Sequence, residues 1–238
     1  MKITYYVHDL EFPLREGVRK QAWWLARAMK KKGHDVSIVC TSDRREKALV
    51  EGIPIRYGSA FGIARVETDV LHYISHPSPL IVPLLLFAHA RIQVMTMFDG
   101  ALNGFWKRTW AGLLSILINK KIKKITLQTN YQKELLENTS VRVPIVLANP
   151  IVPSLKRNGV RSKTPTLLFM SHLHPNKGIT ETIAAYKLAK KEVPLLKLVV
   201  ANSAILHIGA DARDLDEKDI ELKSIVDPAT ELSKAWVY

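Results

Sequence analysis

The sequence holds a single cysteine, Cys40, among 238 residues, which excludes a disulfide framework and any cysteine-based zinc site. That residue closes the apolar run Val36-Ser37-Ile38-Val39-Cys40, which predicts a buried, inert thiol. Long hydrophobic runs are missing as well. The most apolar stretch, Leu80 to Phe87, is interrupted by Pro83 and closed by His89 and Arg91, too short for a spanning helix. The opening Met1-Lys2-Ile3-Thr4-Tyr5-Tyr6-Val7 reads as a strand rather than an export signal, so a cytoplasmic protein is expected. Clustered metal ligands are scarce: His72 and His76 flank Tyr73-Ile74-Ser75 with no third ligand at a sensible spacing, and His72 reads as a packed strand-end histidine. Acidic residues are few. Twenty-two face 35 basic ones, giving a formal charge of +13, a surface suited to nucleic acid, anionic lipid or a phosphorylated small molecule. Aromatic residues are not interleaved with the basic ones on any strand, so nucleic acid is not the expected partner. What remains, 47% hydrophobic and 24% charged residues, is globular composition and excludes a disordered chain.

The periodicity alternates. Lys2 to Val7 is a strand rich in β-branched and aromatic residues; a polar loop from His8 to Glu16 follows. Gly17 to Lys32 carries Val18, Trp23, Trp24, Leu25, Ala26, Ala28 and Met29 at helical spacing, and Gly33 stops it. Asp35 to Thr41 is a second strand, so the first forty residues make a right-handed crossover unit of a parallel sheet. Further strands are predicted at 54–57, 69–74, 91–98, 123–128 and 144–148, with helices at 79–90, 102–119 and 131–138. Apolar strands separated by helices imply a parallel sheet covered on both faces. Composition shifts at Asn149-Pro150. Residues 1–149 are read as one Rossmann-like domain and 150–165, rich in proline and basic residues, as a linker. Residues 166–238 are read as a second, partial domain, with strands at 166–170, 195–201 and 220–226 and helices at 176–191 and 228–234. Ala235-Trp236-Val237-Tyr238 looks like a further strand beginning.

In open parallel sheets, ligands bind beyond the carboxyl ends of the strands. Three junctions there draw attention. Gly17 opens the first helix, where free amides and the helix dipole suit a phosphate, although a plain helix-entry glycine accounts for it too. Ser171-His172-Leu173-His174-Pro175-Asn176-Lys177-Gly178 follows a strand and opens a helix, with Asn176 as cap and His172 and Lys177 reaching the space above the sheet. It is no Walker loop, but a lysine in a first helical turn is unusual and points to an anion. Asp99, after a strand and before Gly100, either orients a substrate hydroxyl or caps the next helix. The segment from Phe105-Trp106-Lys107-Arg108 through Leu113, Leu114, Leu117 and Ile118 to Lys120-Lys121-Ile122-Lys123-Lys124 has two readings: an anionic-membrane interface, or a core-facing helix whose basic end complements its dipole.

These stretches resemble the retaining, nucleotide-sugar-dependent glycosyltransferases of the two-Rossmann GT-B fold, the group that includes glycogen synthases and the mannosyltransferases of lipid and cell-wall assembly. Four segments carry the resemblance: Lys2 to Val7 with Gly17 and the helix ending in Gly33-His34-Asp35-Val36; Ile125 to Leu136; Val143-Pro144-Ile145-Val146-Leu147-Ala148-Asn149-Pro150-Ile151; and Leu167 to Ile179 with Lys177-Gly178. The resemblance implies a hexosyltransferase in which the first domain binds a sugar or lipid-linked acceptor and the second a nucleoside diphosphate sugar. That donor is a co-substrate, and neither cofactor nor metal is implied. Amides at Gly17 and the cation of Lys177 would stabilise the leaving diphosphate. The sequence departs from the family in three places. Ser171-His172 replaces the usual Gly-Arg, Phe98 stands where a histidine is common, and the paired donor-binding glutamates would lie past Tyr238, so an incomplete donor domain is expected. The alternative is a catalytically silent module that docks on anionic membrane, at the inner face of the cell membrane, or on a partner chain. A nucleoside diphosphate sugar epimerase is the nearest competing enzyme.

Overall fold

A computed structural model describes residues 1–12, 14, 17–43, 46–75, 77–98, 111–149, 160–171, 177–201, 220–223 and 228–237. The chain divides into two compact units, Met1–Pro153 and Ser154–Tyr238.

In unit 1 the first crossover forms as the periodicity predicts. Strand β1 (Lys2–His8) leads to helix α1 (Gly17–Lys31), and β2 (Asp35–Thr41) returns parallel to β1 with Ile3 beside Val36 and Val7 beside Cys40. Gly33, at φ 83°, takes the left-handed conformation that ends the helix. A strand absent from the sequence reading comes next. β3 (Lys47–Val50) runs antiparallel to β4 (Ile53–Gly58), joined by Glu51-Gly52 with both residues at positive φ, a tight hairpin turn of the primed type. Then follow β5 (Glu67–Ile74), a short 3-10 turn (Pro79–Ile81), α2 (Val82–Phe87), β6 (His89–Thr96), α3 (Ala111–Lys121), β7 (Lys124–Leu127), α4 (Asn130–Glu137) and β8 (Ile145–Leu147).

The predicted helix over 79–90 stops at Phe87. His89 and Ala90 pair instead with Glu67 and Thr68, so ladder hydrogen bonds claim the last residues of that apolar run. α4 begins with a capping box: Thr129 accepts from the Gln132 amide, and the Gln132 side chain accepts from the Thr129 amide.

The sheet of unit 1 runs β3-β4-β2-β1-β5-β6-β7-β8, all parallel except β3. With the antiparallel edge set aside, this is the 3-2-1-4-5-6 order of a dinucleotide-type sheet extended by one strand, with its switch point between β1 and β5. Apolar clusters lie on both faces. Ala22, Trp23 and Ala26 of α1 pack on Tyr5, Val7, Ile38 and Ile55 on one side. Leu84, Leu85, Leu114, Ile118 and Leu136 pack on Tyr6, Leu71, Tyr73 and Met95 on the other. Cys40 is fully buried and its thiol is pushed up to about 11 by desolvation, which agrees with an inert packing role.

In unit 2, β9 (Thr166–Met170), α5 (Ile179–Glu192), β10 (Lys197–Ala201), β11 (Ile220–Lys223) and α6 (Pro228–Lys234) form a parallel sheet ordered β11-β10-β9. Val237 bridges Leu167 in parallel on the far side of β9, the strand start expected there. The second sheet thus runs 3-2-1, with Val237 bridged to the outer side of its first strand. Trp236 secures this segment: its indole donates to the Ser162 carbonyl at 2.7 Å, and Arg161 lies over its ring at 4.5 Å.

Candidate functional site

Unit 1 carries a cavity at the carboxyl ends of its parallel strands, and unit 2 one that runs along β9 to the residue after it. In unit 1 it measures about 570 Å³ and gathers residues at the ends of three strands: His8 at the end of β1 with Asp9 and Glu11 after it, Ser42 and Asp43 after β2, Ser59 after β4. Thr41 forms part of its wall and Leu80 of the 3-10 turn flanks it. Asp9 is held in place. Its backbone sits at φ 51°, a conformation that β-carbon sterics disfavour. It persists because the Asp9 amide donates to the Thr41 carbonyl at 3.0 Å, and Arg19 of α1 reaches its carboxylate at 2.7 Å. The Arg19 side chain is only 14% exposed, so this ion pair is partly shielded from water and stiffens the strand end. Beneath it, the hydroxyl of Thr41 lies 3.0 Å from the buried Tyr6 hydroxyl and 2.8 Å from Nδ1 of His8, which orients the imidazole at the rim.

Three carboxylates line this cavity in a chain of net charge +13. Ionised carboxylates only accept hydrogen bonds, so the site suits donors: the hydroxyls of a polyol, or a cation. Among the described residues no three histidine, cysteine, aspartate or glutamate side chains are grouped so as to hold a metal ion.

The cavity of unit 2 has the opposite character. It measures about 500 Å³ and is lined by β9 from Leu167 to Met170, by Ser171 and Lys177, by Thr182 and Ala185 of α5, and by Val237. Lys177 is exposed. It does not lie in the first turn of the helix, as the sequence suggested, because α5 starts at Ile179 and Gly178 serves as the N-cap at φ 77°. The left-handed glycine sets the lysine on the approach to the helix, and the Thr182 hydroxyl donates to the Gly178 carbonyl at 2.8 Å. A cation and the Ser171 hydroxyl face one cavity beside a helix start, an arrangement suited to an oxyanion.

The structure brings Ser171 and Lys177 together, while His172, Asn176, Asp99 and His76 lie outside the described residues. Gly17 is the exposed first residue of α1, with open space where a Cβ would stand, and it does not line the acidic cavity. Phe98, in the place of the family's histidine, packs in the core beneath α1. His72 is a packed residue: Nε2 is 2.8 Å from the Thr96 hydroxyl and the ring rests 5.5 Å from that of Tyr5. The sequence reading missed the acidic cavity entirely. A signal is present, since Asp9 and Ser59 follow their strands directly and Asp43 comes two residues after its own.

A parallel sheet in each of two units, the first in the doubly wound order, matches the GT-B class of fold. Comparison with solved structures agrees. Sucrose-phosphate synthase from Thermosynechococcus elongatus superposes with a TM-score of 0.63 at 10% identity, covering 98% of this chain and 72% of that one. The pneumococcal O-GlcNAc transferase GtfA, solved in complex with UDP and GlcNAc, gives 0.60 at 11% identity over 95% and 76%. The GtfA/B complex gives 0.57 at 9% identity over 95% and 77%. No protein-family model matches the chain, and no curated protein matches it in sequence.

Proposed function

We propose that this chain is a glycosyltransferase that moves a sugar from a nucleoside diphosphate sugar to a hydroxylated acceptor, with retention of anomeric configuration. The observation that carries the reading is the division of charge between the two cavities: acidic in unit 1, cationic in unit 2. Carboxylates receive sugar hydroxyls, and Asp9, Glu11 and Asp43 would hold an acceptor; a diphosphate would be repelled there and attracted to Lys177. The likeness to GtfA, a transferase solved with UDP, supports the same assignment.

In the reaction, an acceptor hydroxyl attacks the anomeric carbon from the face that the diphosphate leaves. The bond from that carbon to the phosphate oxygen breaks with its electron pair on the diphosphate, and the hydroxyl proton passes to that oxygen. The protein's task is electrostatic. Lys177, with Ser171 beside it, stabilises charge growing on the leaving group. Asp99 and His172 are proposed as participants from their places at strand-to-helix junctions in the sequence.

Calorimetric titration of the chain with UDP, GDP and ADP tests the donor assignment. At least one should bind, and Lys177→Ala should weaken it by roughly 10- to 100-fold, the worth of one charge-assisted contact. If no diphosphate binds, or the variant binds as well as the parent, the assignment is wrong.

A second reading has an observation of its own. α3 turns Ala111, Leu114, Ser115 and Ile118 into the core, as a core-facing helix should, yet leaves Leu113 and Ile116 63% and 64% exposed beside Lys120, Lys123 and Lys124. That face suits peripheral contact with an anionic membrane, on a cytoplasmic protein. No helix among the described residues is long and apolar enough to cross one. Vesicles of phosphatidylglycerol in phosphatidylcholine should sediment the protein at low salt, and Leu113→Ser with Ile116→Ser should reduce the bound fraction several-fold. Equal sedimentation of parent and variant would remove α3 from consideration.

A further inference from the structure

A third cavity lies at the other end of the unit 1 sheet and belongs to neither of these sites. It measures about 290 Å³, small for a ligand pocket but large enough for a compact metabolite. Strand register explains its chemistry. Thr4 stands beside Ser37, Val39 beside Arg56, and Arg56 beside Lys47, so side chains of four adjacent strands rise on one face. Farther along β1, β5 and β6 the same face carries Tyr6, Leu71 and Met95 beneath α2 and α3. Here it carries hydroxyls and cations. Lys2, Lys47, Arg56 and Arg65 line the cavity with a single carboxylate, Glu67.

Such a cluster is ordinarily neutralised by neighbouring acids, yet among the described residues none of these four cations forms an ion pair with a side chain. Two further groups have unused capacity. Arg56 donates through one terminal nitrogen to the carbonyls of Ile63 and Arg65, at 3.0 and 3.2 Å, while its Nε is buried without a partner. The hydroxyls of Thr4 and Ser37 lie 3.0 Å apart, so one donates to the other and the second proton has no acceptor among the described residues. Buried donors left in this state favour an incoming acceptor.

We propose that this cavity is a second anion-binding site, distinct from the diphosphate site, that takes the phosphate of a small hydroxylated phosphate monoester. Arg56 and the Thr4–Ser37 pair lie at its base, Lys2, Lys47 and Arg65 at its rim. Glu67 receives a hydroxyl of the ligand, and Val39, Ala48, Pro54 and Val66 supply an apolar wall. It lies toward the amino-terminal half of β1 and β2, whereas the acidic cavity lies beyond their carboxyl ends, so a ligand here sits apart from the acceptor pocket. The phosphate chemistry is shared by soluble esters and by a phosphatidic acid headgroup, and both are tested.

The test titrates the full chain with glycerol 3-phosphate, inorganic phosphate and glycerol in a calorimeter at low ionic strength, and floats it with vesicles of phosphatidic acid in phosphatidylcholine. The two phosphates should bind and glycerol should not. Lys47→Gln combined with Arg65→Gln, both exposed side chains without described partners, should weaken binding at least tenfold. Lys177→Ala should leave it unchanged, which separates this site from the proposed donor site whatever becomes of that reading. Flotation that depends on Lys47 and Arg65, without binding of the soluble ester, identifies the lipid headgroup as the source of the same group. The proposal is overturned if neither probe binds, or if binding survives the double substitution.

Discussion

Leu71→Ala is expected to lower the unfolding free energy of unit 1 by about 3–5 kcal/mol, the largest effect of any single truncation considered for this protein. Leu71 is fully buried in β5, the strand across the switch point from β1, and is paired in register with Thr4 on one side and Gln93 on the other. A strand between two neighbours cannot move inward to fill a void without breaking its ladder, so the cavity stays open and its walls lose their contacts. Domains are held by only about 5–15 kcal/mol, so a loss of this size takes away a large part of the margin. Urea unfolding at neutral pH measures it, with the exposed Leu86→Ala as a control expected to change stability by about 0.5 kcal/mol or less. A shift for Leu71→Ala no larger than the control's would mean that the core on this face is looser than the burial indicates.

The second large effect is a loss of stability in mild acid traced to His72. Desolvation between β1 and β6 pushes its imidazole from 6.5 down to about 4. The sign follows directly. In this interval the unfolded chain binds a proton that the folded chain refuses, so stability is full above pH 6.5 and falls as the pH drops toward 4. The contribution lost is about 2 kcal/mol by pH 5 and about 3 kcal/mol by pH 4. Carboxylates titrate at the lower end of that range, so the comparison is with His72→Asn, which offers Thr96 an uncharged partner. The parent should lose the larger amount between pH 7 and pH 4.5. Parallel losses in the two proteins would show that the imidazole charges in the folded state without penalty.

The sequence carried most of the fold because its strands are continuous apolar runs between helices with clear ends. β2, β9 and α6 form over the residues their patterns predict, and α1 differs by one. The failures share a cause in long-range pairing. β3 is four residues long and begins at Lys47, and its turn is Glu51-Gly52 rather than an asparagine–glycine pair, so nothing local marks a hairpin until β4 lies beside it. The apolar run from Leu80 to Ala90 suits helix or strand equally, and β5 decides the matter at His89. The sites were less legible than the fold. Lys177 and Ser171 could be found because they sit within seven residues of each other, at one junction. Asp9, Glu11, Asp43 and Ser59 come from three junctions spread over fifty residues, and only the parallel register of β1, β2 and β4 makes them neighbours. The cation cluster at the opposite end is dispersed in the same way, and the sequence shows it only as an excess of positive charge.

The place of β1 in its sheet has a consequence for how the chain is made. It is an inner strand: β2 pairs with it after some thirty residues, but its other edge waits for β5, whose residues begin at Glu67. Until then Tyr5, Tyr6 and Val7, all buried in the finished protein, border an unsatisfied ladder. The second unit repeats the pattern, since β9 pairs with β10 first and with Val237 only after some seventy residues. Each of these strands is therefore enclosed only some seventy residues after it is made. Late enclosure of these strands is the kinetic counterpart of a strand order that places neighbours distant in sequence on either side of them.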